Sequence, residues 1–260
     1  MPPAAEPPAA DTAAADTAAA DTAVGGAPGG RFRGLLLDIG GVVHATGIYL
    51  VGRLAEVEPA VRAVLERIGG IATDRDKLWQ GMLAGQVTER QYWAQRAAEL
   101  GAAVGQRWDT RAMIGRLYQL PQQDWLRTDM VDLMTEAKTA GLRVGALTND
   151  LTDFHGPDWV DAQEHLKLFD VIIDAGLIGV LKPDPRAFRH AAAELDLPVE
   201  QIVFLDDMPP NVAGARRVGM TAVRVPWEDP GPAIHTAREL LGLPGRAGRP
   251  SVTTKEQSCR

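Results

Sequence analysis

The chain of 260 residues has little of what marks several large classes of protein. Its single cysteine, Cys259, excludes an internal disulfide, so we expect a reducing, cytoplasmic location. No window approaches the roughly 18 apolar residues of a membrane span, and no signal-peptide pattern is present. With a formal net charge of -7, the chain lacks the basic surface that nucleic acid requires. We therefore expect neither a membrane nor a nucleic acid as a partner.

Both ends of the chain lack the residues that build a hydrophobic core. Residues 1–30 contain no aromatic residue, leucine or isoleucine, and they repeat the letters AADTA. Residues 245–260 are polar and contain glycine and proline. Such segments bury too little apolar surface to offset the entropy lost on ordering. We therefore predict two disordered tails.

Five short apolar runs between these ends have the composition of buried strands. They cover residues 35–39, 144–147, 171–173, 202–205 and 222–225. Parallel strands that are covered by helices on both sides are apolar throughout, so the runs predict a doubly wound parallel α/β sheet. Helical patterns alternate with the runs, at residues 129–140, 185–195, 210–218 and 231–241.

Residues 45–127 break this alternation, because they contain helical patterns and no clear strand. A capping box at Thr88 starts the clearest helix, and we expect Trp79 and Trp93 in a local hydrophobic core. The interval directly follows the first strand, so it should emerge at the carboxyl edge of the sheet, where open α/β folds bind ligands. We predict two domains, a core of residues 31–44 and 128–244 and a helical cap of residues 45–127.

Side chains that can bind an anion or a metal ion follow the predicted strands. They are Asp38 after the first strand, Thr148 and Asn149 after the second, Lys182 in the loop after the third, and Asp206 and Asp207 after the fourth. Each alone has an ordinary explanation, as a cap, a turn or a solvated charge. Because parallel strands end at one edge of the sheet, these side chains can converge there. The set suits phosphoryl transfer, with an attacking carboxylate, oxygen ligands for a hard cation, and donors for the phosphoryl oxygens.

Four sequence motifs carry a resemblance to a known superfamily. They are LLLDIGGVV, ALTND, GVLKPDPRAF and VFLDDMPPNVAGARRVGM, in this order. Together they resemble the four motifs of the haloacid dehalogenase (HAD) superfamily, which implies a Rossmann-like core. Residues 45–127 resemble its helical C1 cap. Within them, GMLAGQVTERQYW is similar to the cap of the subgroup that includes the phosphatase domain of soluble epoxide hydrolase.

The resemblance implies a magnesium-dependent hydrolase, and the partner that we expect is a small phosphorylated metabolite. Asp38 would attack phosphorus to form an aspartyl-phosphate, while Thr148 and Lys182, also catalytic, would hold the phosphoryl oxygens together with the amides around Asn149. Asn211 would orient the acidic loop. The implied magnesium ligands are Asp38, the main-chain carbonyl of Gly40, Asp206 and Asp207. The oligomeric state stays open, with a homodimer as one option.

Gly40 departs from the phosphatase pattern, which usually has Asp two residues after the nucleophile as general acid and base. Loss of that carboxyl group can remove catalysis worth about 100- to 10,000-fold. His44 is a candidate replacement, although we expect an exposed histidine without a role there. The remaining histidines have no metal-ligand spacing, and we expect them on the surface or at helix ends; they are His155, His165, His190 and His235.

Three functions are compatible with these residues. A phosphatase, which we favour, would use the complete set of anion and metal ligands. A dehalogenase-type hydrolase would act through the same aspartate, but such enzymes usually have a bulky aromatic residue at the position of Gly40 and need no metal. A protein that binds a phosphorylated ligand, with little turnover, would also explain the missing carboxyl group at Gly40.

Overall fold

The computed structural model describes residues 31–244, so both predicted tails, and Cys259 with them, lie outside the described residues. One sheet of five parallel strands has the order β3-β2-β1-β4-β5. The strands are β1 (Gly34–Leu37), β2 (Arg143–Thr148), β3 (Val171–Asp174), β4 (Ile202–Asp206) and β5 (Thr221–Arg224). The five predicted runs are confirmed as strands. Their ends shift slightly, because hydrogen bonding and not composition defines where a strand ends.

Seven helices lie between β1 and β2. They are α1 (Gly47–Val57), α2 (Pro59–Ile68), α3 (Lys77–Leu83), α4 (Glu89–Ala103), α5 (Thr110–Leu117), α6 (Gln122–Trp125) and α7 (Thr128–Thr139). The later helices are α8 (Leu151–His155), α9 (Pro157–Asp161), α10 (Ala175–Ile178), α11 (Pro185–Glu194), α12 (Pro209–Val218) and α13 (Gly231–Leu241). None of the helices in residues 31–244 has the length and apolarity needed to cross a membrane.

The central strand β1 separates two hydrophobic clusters. Leu35 and Leu37 belong to the cluster that contains buried residues of α7 and α13. Leu36 belongs to the cluster that contains buried residues of α11 and α12. Helices therefore cover both faces of the sheet, which confirms the doubly wound fold. The chain runs from β1 to β2 and β3 on one side and returns to β4 and β5 on the other, so strand order reverses beside β1.

Residues 45–127, called the helical insertion below, have a hydrophobic cluster of their own. Leu54, Tyr92 and Leu100 are among its fully buried members. Two backbone hydrogen bonds join the ends of the insertion: Ala45 N donates to Trp125 O at 2.7 Å, and Arg127 N donates to Val43 O at 3.0 Å. The insertion therefore leaves and rejoins the sheet region at one place.

A capping box fixes the start of α4. Thr88 Oγ1 accepts a hydrogen bond from Gln91 N at 3.2 Å, and Gln91 Oε1 accepts one from Thr88 N at 2.9 Å. Trp93, one turn into the helix, is buried as expected, whereas Trp79 on α3 is only half-buried. The sequence thus predicted where α4 begins.

The buried carboxylate of Asp76 holds α3 against α4. It accepts hydrogen bonds from the backbone amides of Leu78 and Trp79 at 3.1 and 3.0 Å. It also accepts one from the Tyr92 hydroxyl at 2.9 Å and pairs with Arg96 at 2.5 Å. One carboxylate therefore satisfies donors from two helices.

We expect Asp76→Ala to lower the free energy of unfolding by about 3 kcal/mol, because it leaves the buried Arg96 without one of its partners. Denaturant unfolding at fixed pH measures the change. The control is Asp74→Ala, an exposed aspartate nearby, which should shift stability by no more than about 0.5 kcal/mol. Equal effects in the two variants would contradict the stabilising role of Asp76.

Candidate active site

Side chains from three neighbouring strands converge at the carboxyl edge of the sheet. Asp38 directly follows β1, Thr148 ends β2, and Asp206 ends β4. The strands β2 and β4 pair with β1 on either side. One cavity lies above this edge, and its walls include Asp38, Gly40, Thr148, Asn149, Lys182 and Asp207. Asp206 is fully buried behind that wall. The structure therefore brings together all the candidate residues that the sequence suggested.

Lys182 places its ammonium group between two carboxylates. Its Nζ atom lies 3.0 Å from Asp38 Oδ2 and 2.7 Å from Asp206 Oδ2, and the side chain is almost completely buried. Burial alone would lower the pKa of Lys182, but the carboxylates of Asp206 and Asp38 raise it above its ordinary value. Lys182 is therefore a permanent cation at the floor of the cavity.

Two asparagines position the charged groups. Asn149 Oδ1 accepts a hydrogen bond from Lys182 N at 2.8 Å, and Asn149 Nδ2 donates to Lys182 O at 3.3 Å. Asn211 Nδ2 donates to both carboxylate oxygens of Asp206, at 3.1 and 3.2 Å. The side chain of Asn149 is thus used to hold the lysine loop against the end of β2.

Asp207 adds a third carboxylate to the two that pair with Lys182. Oxygen atoms of Asp38, Asp206 and Asp207 lie within 4.8 Å of one another. Burial raises the pKa of Asp207 to about 8, and repulsion by Asp38 and Asp206 adds to this effect. Burial likewise raises the pKa of Asp38 to about 7, although Lys182 opposes the shift. The raised pKa values show that the three carboxylates resist being ionised together beside one ammonium group. A hard divalent cation bound by their oxygen atoms would favour the ionised forms.

The two glycines after Ile39 have different reasons to be glycine. Gly41 has φ +80°, and a Cβ atom there would lie 2.2 Å from Asp207 Oδ2. Gly40 lies outside the left-handed region, and a Cβ atom there would meet nothing within 4 Å. Asp207 can therefore approach the loop only because residue 41 has no side chain. No such steric reason applies to Gly40.

The helical insertion covers the cavity with mostly apolar side chains. Its contribution comes from Ile48, Trp79, Met82, Trp93 and Ile114, with Glu89 and Tyr118 as polar groups. Arg90 pairs with Asp150, the residue that precedes α8, and lies 3.4 Å from Asp153. These ion pairs hold the start of α4 close to the end of β2. The cavity therefore joins a charged floor to a largely apolar roof.

Glu89, Tyr118 and Asp150 also line the cavity, but sequence reasoning did not identify them as candidates. Only Glu89 had a usable signal, because it directly follows the predicted cap Thr88 at the start of a helix. Nothing in the sequence indicated that this helix end faces the sheet.

His44 is fully buried, so the expectation of an exposed histidine was wrong. Its Nε2 atom lies 2.7 Å from His165 Nε2, and its Nδ1 atom lies 3.1 Å from the Tyr118 hydroxyl. His165 is buried as well, which contradicts a place on the surface, although it lies near one end of the short 3-10 helix Glu164–Leu168. Residue 44 bridges to Leu126 at the base of the insertion, where aromatic side chains enclose it. Burial lowers the pKa of His44 well below its ordinary value, which makes the ring neutral near pH 7.

We expect Gly41→Ala to lower the free energy of unfolding by about 2 kcal/mol or more, because it adds left-handed strain and displaces Asp207. The matched control is Gly40→Ala, which should change stability by less than about 0.5 kcal/mol, since open space surrounds that position. Denaturant unfolding of the two variants measures the difference. Similar losses would show that the loop does not depend on residue 41 in this way.

Comparison with known proteins shows a match over most of the described chain. The profile of a family described as haloacid dehalogenase-like hydrolase matches residues 32–219. The mouse protein acyl-CoA dehydrogenase family member 10 is 28% identical over 230 residues, which is 86% of this chain and 20% of the relative. Phosphatase MT3486 of Mycobacterium tuberculosis (strain CDC 1551 / Oshkosh) is 36% identical over 92 residues, which is 35% of this chain and 42% of the relative. The chain thus spans less than half the length of either relative.

A solved structure agrees with the fold. CbbY from Rhodobacter sphaeroides, in complex with xylulose-1,5-bisphosphate, has a TM-score of 0.50 and 21% identity. The match covers 75% of this chain and 86% of that chain. At this level of identity the similarity concerns the fold alone.

Proposed function

Because the chain belongs to the haloacid dehalogenase-like hydrolases, we propose that it is a magnesium-dependent phosphatase of a small phosphorylated metabolite, acting through Asp38. One observation carries the proposal: the carboxylate of Asp38 lies in a cavity beside the ammonium group of Lys182 and the acidic pair Asp206 and Asp207. The mycobacterial relative is named as a phosphatase, which supports the same reaction class.

Asp38 is oriented for nucleophilic attack. Its Oδ1 atom accepts a hydrogen bond from Ile39 N at 2.7 Å, and its Oδ2 atom pairs with Lys182. In the proposed reaction an Asp38 oxygen forms a bond to phosphorus while the bond from phosphorus to the leaving oxygen breaks, and that oxygen takes up a proton. Water then attacks the aspartyl-phosphate, which releases phosphate and restores Asp38.

Lys182 and Thr148 would bind the phosphoryl group. The Lys182 ammonium remains charged, and Thr148 offers a hydroxyl donor from the end of β2. Fixed donors around the phosphoryl oxygens stabilise the charge of the transition state without reorganisation during the reaction. The amides that follow Thr148 are a further source of such donors.

Asp38, Asp206 and Asp207, with the main-chain carbonyl of Gly40, would hold the magnesium ion. When bound, the ion supplies charge neutralisation for the phosphoryl oxygens and for the three carboxylates. Lys182 alone cannot balance these carboxylates, so the cluster by itself would repel an anionic substrate.

The cavity favours a substrate with one phosphoryl group and an uncharged, largely apolar remainder. Among the cavity-lining residues that the structure describes, Lys182 is the only lysine or arginine. The roof presents Trp79, Met82 and Ile114 to whatever lies above the phosphoryl group. A second anionic group on the substrate would find no permanent cation to bind it.

We expect Asp38→Asn to reduce phosphatase activity on the order of 10,000-fold or more, because an amide is a poor nucleophile. The side chain is nearly isosteric, so circular dichroism should show an unchanged fold. Asp74→Asn, an exposed change in the insertion, is the control and should leave activity unchanged. Wild-type activity in Asp38→Asn, with deamidation excluded by mass spectrometry, would refute the assignment.

Removal of divalent ions should stop turnover, since the candidate ligands are all oxygens. Phosphate release from 4-nitrophenyl phosphate is measured after dialysis against a chelator, and then after addition of magnesium. We expect activity to fall to background and to return with magnesium. Full activity in the chelated protein would contradict the proposed metal dependence.

A further inference from the structure

The open space at Gly40 leaves the leaving group without a proton donor from the loop after β1. In phosphoryl transfer the attacking and the leaving oxygen lie roughly in line. Asp38 attacks from the edge of the sheet, so the leaving oxygen departs on the opposite side of phosphorus, toward the helical insertion. A proton donor for that oxygen must therefore come from the roof of the cavity.

Four of the protic side chains in the cavity wall are poor candidates for this step. Both ring nitrogens of His44 have hydrogen-bond partners: Nε2 pairs with His165, and Nδ1 pairs with the hydroxyl of Tyr118. Burial raises the pKa of Tyr118 above its ordinary value, while it lowers the pKa of His155 to about 4. Asp150 is paired with Arg90. None of the four combines a free proton with readiness to donate it near neutral pH.

Glu89 is a better candidate, because the start of α4 fixes it in the cavity wall. It is the first residue of the helix, directly after the capping residue Thr88. Trp93, one turn further along α4, lines the same wall of the cavity. Arg90, its neighbour in sequence, ties the same turn to Asp150. Glu89 is exposed to solvent as a residue, and it lines the same cavity as Asp38.

The charges that face Glu89 come from the floor of the cavity. They are the carboxylates of Asp150, Asp206 and Asp207 and the ammonium group of Lys182. Desolvation is the largest effect on its carboxyl group, and with the repulsion from Asp150 it raises the pKa of Glu89. A carboxyl group with a raised pKa keeps its proton to higher pH than one with an ordinary pKa does.

We propose that Glu89 is the general acid and base of the reaction and takes over the role that a carboxyl group at position 40 would have. As the bond from phosphorus to the leaving oxygen breaks, Glu89 transfers its proton to that oxygen and becomes a carboxylate. The carboxylate then accepts a proton from the water that attacks the aspartyl-phosphate, which restores the acid. The inference rests on the proposed phosphatase function.

The test compares Glu89→Gln with the wild type on two substrates, 4-nitrophenyl phosphate and hexyl phosphate. We expect kcat/KM for hexyl phosphate to fall by about 100-fold or more, because an alkoxide needs protonation to leave. The nitrophenyl substrate should change by less than about 10-fold, since its leaving group is weakly basic. Glu66→Gln removes an exposed carboxyl group of α2 outside the cavity and should change neither value.

A pH profile separates this role from a structural one. In the wild type, kcat/KM for hexyl phosphate should fall as rising pH removes the Glu89 proton, and Glu89→Gln should lack that dependence. Gly40→Asp places a carboxyl group in open space beside the reaction. It should raise hexyl phosphate turnover more in the Glu89→Gln background than in the wild type. If Gly40→Asp raises hexyl phosphate turnover equally in both backgrounds, or more in the wild type, a carboxyl group at position 40 does not replace Glu89, and the proposed role of Glu89 is overturned.

The outcomes distinguish the two proposals. An active wild type whose Glu89→Gln variant hydrolyses both substrates at normal rates, or loses both equally, overturns the role of Glu89 and leaves the phosphatase standing. A wild type without metal-dependent phosphatase activity overturns both. Selective loss of the alkyl substrate with an unchanged melting temperature supports Glu89 as the acid.

Discussion

The buried ammonium group of Lys182, held between Asp38 and Asp206, is the contact on which the site depends. Removing a charge from water costs several kcal/mol, so a buried lysine persists only where carboxylates meet it at close range. Those carboxylates come from two neighbouring strands, and the lysine comes from the loop after a third. The parallel arrangement of β1, β3 and β4 in one sheet is therefore a requirement of the charge arrangement as well as a way to bury apolar surface.

The same arrangement explains the polar and glycine residues around it. Asn149 fixes the backbone of Lys182, and Asn211 holds the carboxylate of Asp206. Both charged side chains are therefore positioned by hydrogen bonds for the ion pair that they form. Gly41 lets Asp207 approach close to the loop after β1. The result is a rigid cluster whose remaining negative charge suits a hard cation, and cation and lysine together would make the cavity receptive to phosphate.

The floor of the cavity, at the sheet edge, and its roof, on the helical insertion, contribute different groups to the candidate site. The sheet edge supplies the groups that would form and break the bond to phosphorus, while the helical insertion surrounds the rest of the substrate. At its base, the buried ring of His44 packs against the half-buried ring of Tyr118, and the ion pair of Arg90 with Asp150 holds the start of α4 close to the sheet. A proton donor on the insertion would act only when that end lies over the site, which would couple catalysis to exclusion of water.

The sequence by itself determined the elements and the strand ends at which the candidate site lies. Short apolar runs favour strands that are covered on both faces, and a capping box at Thr88 favours the start of a helix. Both signals are local, so they do not depend on where the element lies in the fold. Burial of His44 and the placement of Glu89 are different, since each depends on residues distant in the chain. His44 is enclosed by Tyr118, Trp125 and His165. Glu89 lines the same cavity as Asp38 only because of how the insertion packs on the sheet. Only the tertiary structure decided these, because solvent exposure and distance between charges are properties of the packed molecule and not of the segment.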